Sequence, residues 1–130
     1  MASTIESLRS LYGTGRIIFV DDDEQVRVLA ERALRAHGYQ VTVCASGEEA
    51  LERLAESPAP VDLIADVVMP RMQGPDLSQR IRQTWPQVRV LYVTGFTERD
   101  IDGTSPAETI LQKPFTPGGL LRRIRALLDG

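Results

Sequence analysis

Lysine is almost missing from this chain. Its 15 basic residues are 14 arginines and one lysine, Lys113. Cysteine is equally scarce: Cys44 stands alone, which excludes an internal disulfide and fits a reducing compartment. There is one histidine, His37, and one tryptophan, Trp85. No apolar run approaches the roughly 20 residues that a membrane-spanning helix needs, and the N-terminus carries no secretory-signal pattern. Basic surplus is absent too. The net charge is −3, so no nucleic-acid surface is indicated. What is present is a globular composition, 42% hydrophobic and 25% charged over 130 residues, enough for one domain with a substantial core.

Apolar runs of strand length alternate with helical periodicity. Arg16 to Val20 reads as a buried strand. Val26, Leu29, Ala30, Ala33 and Leu34 mark one face of a helix, with His37 continuing the row and Gly38 stopping it. Gln40 to Cys44 is a second strand. Ser46 and Glu49 form a capping box for a helix that buries Ala50, Leu51 and Leu54. Val61 to Ala65 is a third strand leading into Asp66. The turn-rich Pro70 to Pro75 opens a helix with Leu77, Ile81 and Thr84 inward, closed by Trp85-Pro86. Val88 to Val93 and Thr109 to Gln112 are the last strands. Thr116-Pro117 then caps a helix that buries Leu120, Leu121, Ile124, Leu127 and Leu128. Thr97 to Asp100 suggests only a turn or two of helix. Residues 1–15 stand apart as an extension or linker, and residues 16–130 form the domain. The alternation implies an α/β fold: a doubly wound five-stranded parallel sheet in a three-layer sandwich.

Ligands of such sheets bind outside the carboxyl ends of the strands. Four polar segments fall there: Asp21-Asp22-Asp23, Asp66 to Pro70, Thr94-Gly95 and Lys113-Pro114-Phe115. Carboxylates brought together repel; at ~4 Å and an effective dielectric of ~20 each pair costs about 4 kcal/mol. A protonated carboxyl or a bound cation must offset that. Oxygen ligands alone favour a hard cation, and Mg²⁺ suits best. A carboxylate can also act as a nucleophile toward phosphorus. Lys113 could pair with a phosphoryl oxygen or with Asp66, and Thr94 could donate to another oxygen. Pro114 after Lys113 points to a fixed turn.

At these residues the chain resembles a response-regulator receiver domain, the phospho-accepting module of two-component signalling. The likeness covers about residues 16–129. It rests on the acidic pair after the first strand, the Asp66-to-Pro70 spacing, Thr94 and Lys113-Pro114-Phe115. Leu91 to Phe96 and Leu111 to Thr116 look most like receivers attached to hybrid histidine kinases. The resemblance implies a flavodoxin-like (βα)5 fold. It implies Asp66 as phosphoryl acceptor, and Asp21, Asp22, Asp66 and the Val68 carbonyl as Mg²⁺ ligands. Thr94 becomes the switch hydroxyl and Lys113 the site lysine, while Asp23 caps the first helix. The implied partner is a histidine kinase or histidine phosphotransfer protein. A cytoplasmic monomer is expected, with no direct nucleic-acid or membrane contact. Such a module catalyses its own acylphosphate chemistry yet serves mainly in signalling.

Three departures stand out. Ile110 occupies the position, three before Lys113, where an aromatic often rotates on activation. The helix after the fourth strand looks short. The Asp62-to-Asp66 stretch looks one residue shorter than usual.

Other readings are weaker. A degenerate receiver, acting as an unphosphorylated interaction module, would not need the acidic site and its lysine. A flavin phosphate would be repelled by three aspartates after the first strand. A phosphatase of the haloacid-dehalogenase type needs an aspartate where Val68 stands. Val68 and Phe96 flank the acceptor in the family's geometry and offer no group to position water, so a long-lived phosphoform is expected. Val28 lies off the apolar stripe of the first helix, where the family's helical phosphodonor docks.

Overall fold

The computed structural model describes residues 16–56, 61–95 and 108–129. The strands are β1 (Arg16–Val20), β2 (Gln40–Cys44), β3 (Asp62–Asp66), β4 (Val90–Thr94) and β5 (Glu108–Gln112). The helices are α1 (Glu24–Ala36), α2 (Gly47–Glu56), α3 (Gly74–Thr84) and α4 (Pro117–Asp129). All five strands run parallel in one sheet of order β2-β1-β3-β4-β5. The expected doubly wound sandwich is therefore present. The stretch expected to hold a short helix after β4, and residues 1–15, lie outside the described residues.

Alternation along the strands divides the core by face. Ile18, Val20, Leu63, Ala65, Val90 and Tyr92 pack toward α2 and α3. Ile17, Phe19, Ile64, Leu91 and Val93 pack toward α1 and α4. β1, β3 and β4 are covered on both faces, hence their near-continuous apolar runs. Met69 and Met72 are buried, and Trp85 is a half-buried anchor against the first cluster.

Several local expectations shift. β3 begins and ends one residue later than expected, and β4 begins two later and ends one later. Asp62, a polar residue at the strand's start, is buried and paired with Arg89. Arg89 donates to both its oxygens, Nε to Oδ1 at 3.1 Å and Nη2 to Oδ2 at 3.3 Å, and Nη1 reaches the Leu128 carbonyl at 2.8 Å. The register of β3 is set by pairs such as Ile17 with Asp62 and Asp66 with Val93. Thr84, expected to face inward, is exposed at the end of α3. His37 is exposed too; it caps α1 through its main chain, and its ring nitrogen lies 3.0 Å from the Ala33 carbonyl. On α4, Leu120 and Ile124 are buried, while Leu121, Leu127 and Leu128 are half-buried at the edge of the cluster. At α2 the Ser46 hydroxyl accepts from Glu49 N, and Glu49 reaches back to Ala45 N.

Cys44 closes β2 and is buried; burial, then the charge of Glu49, pushes its thiol up to about 12. A thiol-specific reagent at mildly alkaline pH should therefore leave the folded chain unlabelled and modify Cys44 only in denaturant. Labelling of the native chain at the rate of a free thiol would contradict this.

Candidate functional site

The carboxyl edge of the sheet gathers the expected residues. β1 delivers Asp21, which is fully buried, and its main-chain N–H donates to the Cys44 carbonyl at 3.1 Å. Asp22 follows and is exposed. Asp23 turns the chain into α1: its N–H donates to Asp21 Oδ1 at 2.9 Å, and its carboxylate caps Gln25 N at 2.9 Å. That spends one oxygen of Asp21 on the turn and assigns Asp23 to the cap, as expected. β3 ends on Asp66, 9% exposed. Asp21, Asp22 and Asp66 each present an oxygen within 4.8 Å of the others'.

Lys113 enters from the end of β5. Its N–H donates to the Thr94 carbonyl at 2.8 Å, and a cis peptide bond joins it to Pro114. Its ammonium donates to Asp66 Oδ2 at 3.2 Å and lies 2.9 Å from Asp21 Oδ2. The second contact is an ion pair off the hydrogen-bonding direction, since Asp21 Oδ2 is buried without a hydrogen bond. Thr94, the last residue of β4, is fully buried. Val68, two residues past Asp66, is exposed, and Ile110 is half-buried against the Tyr92 cluster.

The electrostatics follow from that geometry. Burial, then the charge of Asp21, pushes the Asp66 carboxyl above its usual range, and Lys113 only partly counters them. Burial pulls the Lys113 ammonium down, but Asp21 and Asp66 outweigh it and leave it raised. The Lys113 ammonium pairs with Asp21 and Asp66, one positive charge against a cluster of three carboxylates among the described residues. An all-oxygen donor set of three carboxylates, one of them fully buried, fits a hard divalent cation such as Mg²⁺.

Two contacts escaped the sequence reading. A Cβ on Gly74 would lie 2.4 Å from the Asp66 carbonyl oxygen. Ser78 Oγ lies 2.8 Å from the Tyr92 hydroxyl. The glycine at the foot of the turn-rich loop was a visible sign of the first. Nothing in the local sequence pairs Ser78 with Tyr92.

An open parallel sheet with a lysine-bridged acidic cluster beyond its carboxyl edge defines a doubly wound α/β domain of the flavodoxin-like kind. The response regulator receiver domain model matches residues 17–125, and the chain belongs to that family, the receivers of two-component systems. It is 36% identical over 129 residues to the sensor kinase CckA of Brucella abortus, covering 96% of this chain and 14% of that protein. It is 40% identical over 116 residues to the response regulator MprA of Mycobacterium leprae, covering 87% and 50%. The chain thus spans half or less of these curated relatives. Among solved structures, the receiver domain from the hybrid histidine kinase CckA matches with a TM-score of 0.76 and 37% identity, covering 88% of this chain and 99% of that one. The Vibrio cholerae chemotaxis protein CheY4 matches at 0.79 and 30% identity, with the same coverage. No helix among the described residues is long and apolar enough to cross a membrane.

Proposed function

We propose that this receiver accepts a phosphoryl group from a phosphohistidine onto Asp66 and relays a signal by conformational change. The observation that carries the reading is the Lys113 ammonium lying between Asp21 and Asp66 within the three-carboxylate cluster. A carboxylate oxygen of Asp66 attacks phosphorus as the bond from phosphorus to the donor's imidazole nitrogen breaks. The electron pair of that bond leaves with the imidazole. Lys113 can exchange its hydrogen bond to Asp66 for one to a phosphoryl oxygen, and the Thr94 hydroxyl can donate to another. Asp21, Asp22, Asp66 and the Val68 carbonyl would hold Mg²⁺. When bound, the cation supplies charge neutralisation for the carboxylates and the incoming phosphoryl oxygens.

The donor on this reading is a histidine kinase or a histidine phosphotransfer protein, met in the cytoplasm by a monomeric receiver. Residues 1–15 would be an extension or linker to the receiver domain of residues 16–130. The phosphoform is expected to be long-lived, because Val68 offers no side chain to position water. The test is intact mass after incubation with acetyl phosphate. One phosphoryl adduct that requires Mg²⁺ supports the reading. No adduct from acetyl phosphate or from any of a panel of phosphorylated kinases would overturn it in favour of an unphosphorylated interaction module.

Val28 gives a second prediction. It is 41% exposed and lines a groove of about 610 Å³ with Leu29, Ala33 and Pro117, between α1 and the start of α4. That groove flanks the acidic edge and suits a helical donor. Val28→Asp should slow transfer from a protein donor about tenfold, as expected for an apolar contact residue, and leave the acetyl phosphate rate unchanged. Equal slowing with both donors would remove Val28 from the docking surface.

A further inference from the structure

Tyr92 and Ser78 bring two hydroxyls together on the α3 face of the sheet, and each residue is about 1% exposed. Leu77, Ile81, Val90 and Ala65 belong to the same apolar layer. Ser78 Oγ is 2.8 Å from the Tyr92 hydroxyl and 2.9 Å from the Pro75 carbonyl oxygen. A serine hydroxyl has one proton, and a carbonyl oxygen only accepts. Both contacts are satisfied together when Tyr92 donates to Ser78 and Ser78 donates to Pro75. Two apolar side chains could fill this space without any desolvation cost. A hydroxyl pair adds direction and a fixed distance instead.

The relay falls at a particular place. The Val93 carbonyl accepts from Val67 N at 3.2 Å, at the start of the loop that follows Asp66. Tyr92, the preceding residue, holds Ser78, at the start of the second turn of α3 beyond that loop. Between the two anchors, Gly74 N donates to the Val67 carbonyl at 3.0 Å and Gly74 packs on the Asp66 carbonyl. β4 therefore grips the acceptor loop at both ends. Its next residue, Thr94, accepts from Lys113 N. Three consecutive residues of one strand touch α3, the acceptor loop and the lysine.

We propose that Tyr92 and Ser78 are positioning residues for the phosphoryl site. Their hydroxyl relay to Pro75 fixes the start of α3 against β4 and so holds the loop that carries the Val68 carbonyl. The inference rests on the function proposed above for the Mg²⁺ ligands, and it adds a residue pair that touches neither the cation nor the phosphoryl group. Group positions beside a metal ligand typically matter by about tenfold or more in affinity.

The experiment uses the full chain and three variants: Tyr92→Phe, Ser78→Ala and, as a control, Ile81→Val in the same apolar layer. Mg²⁺ affinity is followed through the amide resonances of the loop, and loop opening through hydrogen exchange at Val67 and Gly74 without metal. Tyr92→Phe and Ser78→Ala are each expected to weaken Mg²⁺ about tenfold. Both should slow acetyl phosphate uptake at low Mg²⁺ and recover it at saturating Mg²⁺. Exchange at Val67 and Gly74 should quicken in both. Ile81→Val, chosen for a comparable fall in melting temperature, should leave affinity and exchange as in the parent. Unchanged affinity in Tyr92→Phe, or equal weakening in Ile81→Val, would reduce the pair to a packing role. Should the parent chain itself bind no Mg²⁺, the functional reading fails and the relay is judged by exchange alone: unchanged exchange in both hydroxyl variants overturns it.

Discussion

Asp66→Asn is expected to abolish phosphoryl uptake from acetyl phosphate and, in Mg²⁺-free buffer, to raise the melting temperature. The first half follows from chemistry. The amide keeps the shape of the side chain but has no anionic oxygen to attack phosphorus. The second half follows from the site's charge. Burial and the neighbouring Asp21 hold the Asp66 carboxyl above its ordinary value of 3.8. A proton is thus bound more tightly in the folded chain than in the unfolded one. The stability this group contributes is present below the unfolded value and is lost as the pH rises through the raised folded value. At neutral pH the ionised carboxylate is a net cost to folding, and the amide removes it. For a domain of this size the midpoint should rise by about 4 °C for each kcal/mol relieved.

Mg²⁺ should narrow the gap, because it binds the folded parent more tightly than the variant and stabilises it by mass action. Intact mass and thermal unfolding with and without chelator check both halves. An adduct on the variant would mean that another residue accepts the group. A variant midpoint at or below the parent's in chelator would mean that the Lys113 ion pair outweighs the repulsion.

Gly74→Ala should be the most damaging single-methyl change among the described glycines. The added Cβ would lie 2.4 Å from the Asp66 carbonyl oxygen and 3.2 Å from its carbonyl carbon. Neither atom is the free end of a flexible side chain. Either β3 or the first turn of α3 must move, and the acceptor moves with β3. Overpacking of this kind costs about 1–3 kcal/mol, a large share of the roughly 5–15 kcal/mol that holds a domain together. Gly95→Ala is the contrast: nothing lies within 4 Å of its Cβ position, so its effect should stay within about 0.5 kcal/mol. Urea denaturation of the two variants decides the matter. Equal, small losses would show that the Gly74 contact relaxes at no cost.

Much of the site was legible because each of its residues sits at the end of its own strand pattern. Asp21 follows the apolar run of β1, Asp66 ends β3, Thr94 ends β4 and Lys113 follows β5. A parallel sheet puts those ends on one edge, so reading the strands nearly suffices to assemble the cluster. The cap at Asp23 was legible for a similar reason, being a local interaction two residues long. The strand limits were less so. β3 leaves out Val61 and takes in Asp66, because its limits are set by pairing with β1 and β4 and not by its own apolar run. Thr84 and His37 continued helical rows in the sequence, yet both lie at helix ends where the core no longer reaches.

The sequence by itself determined the α/β class, the apolar layers and the set of residues at the acidic edge, because periodicity and chain direction are local properties. Only the tertiary structure decided that Lys113 lies against both Asp21 and Asp66, that Gly74 leaves room for the Asp66 carbonyl, and that Tyr92 reaches Ser78. These are meetings across 92, 47, 8 and 14 positions of chain. No pattern within a single element records a distance between elements; packing the helices onto the twisted sheet sets it.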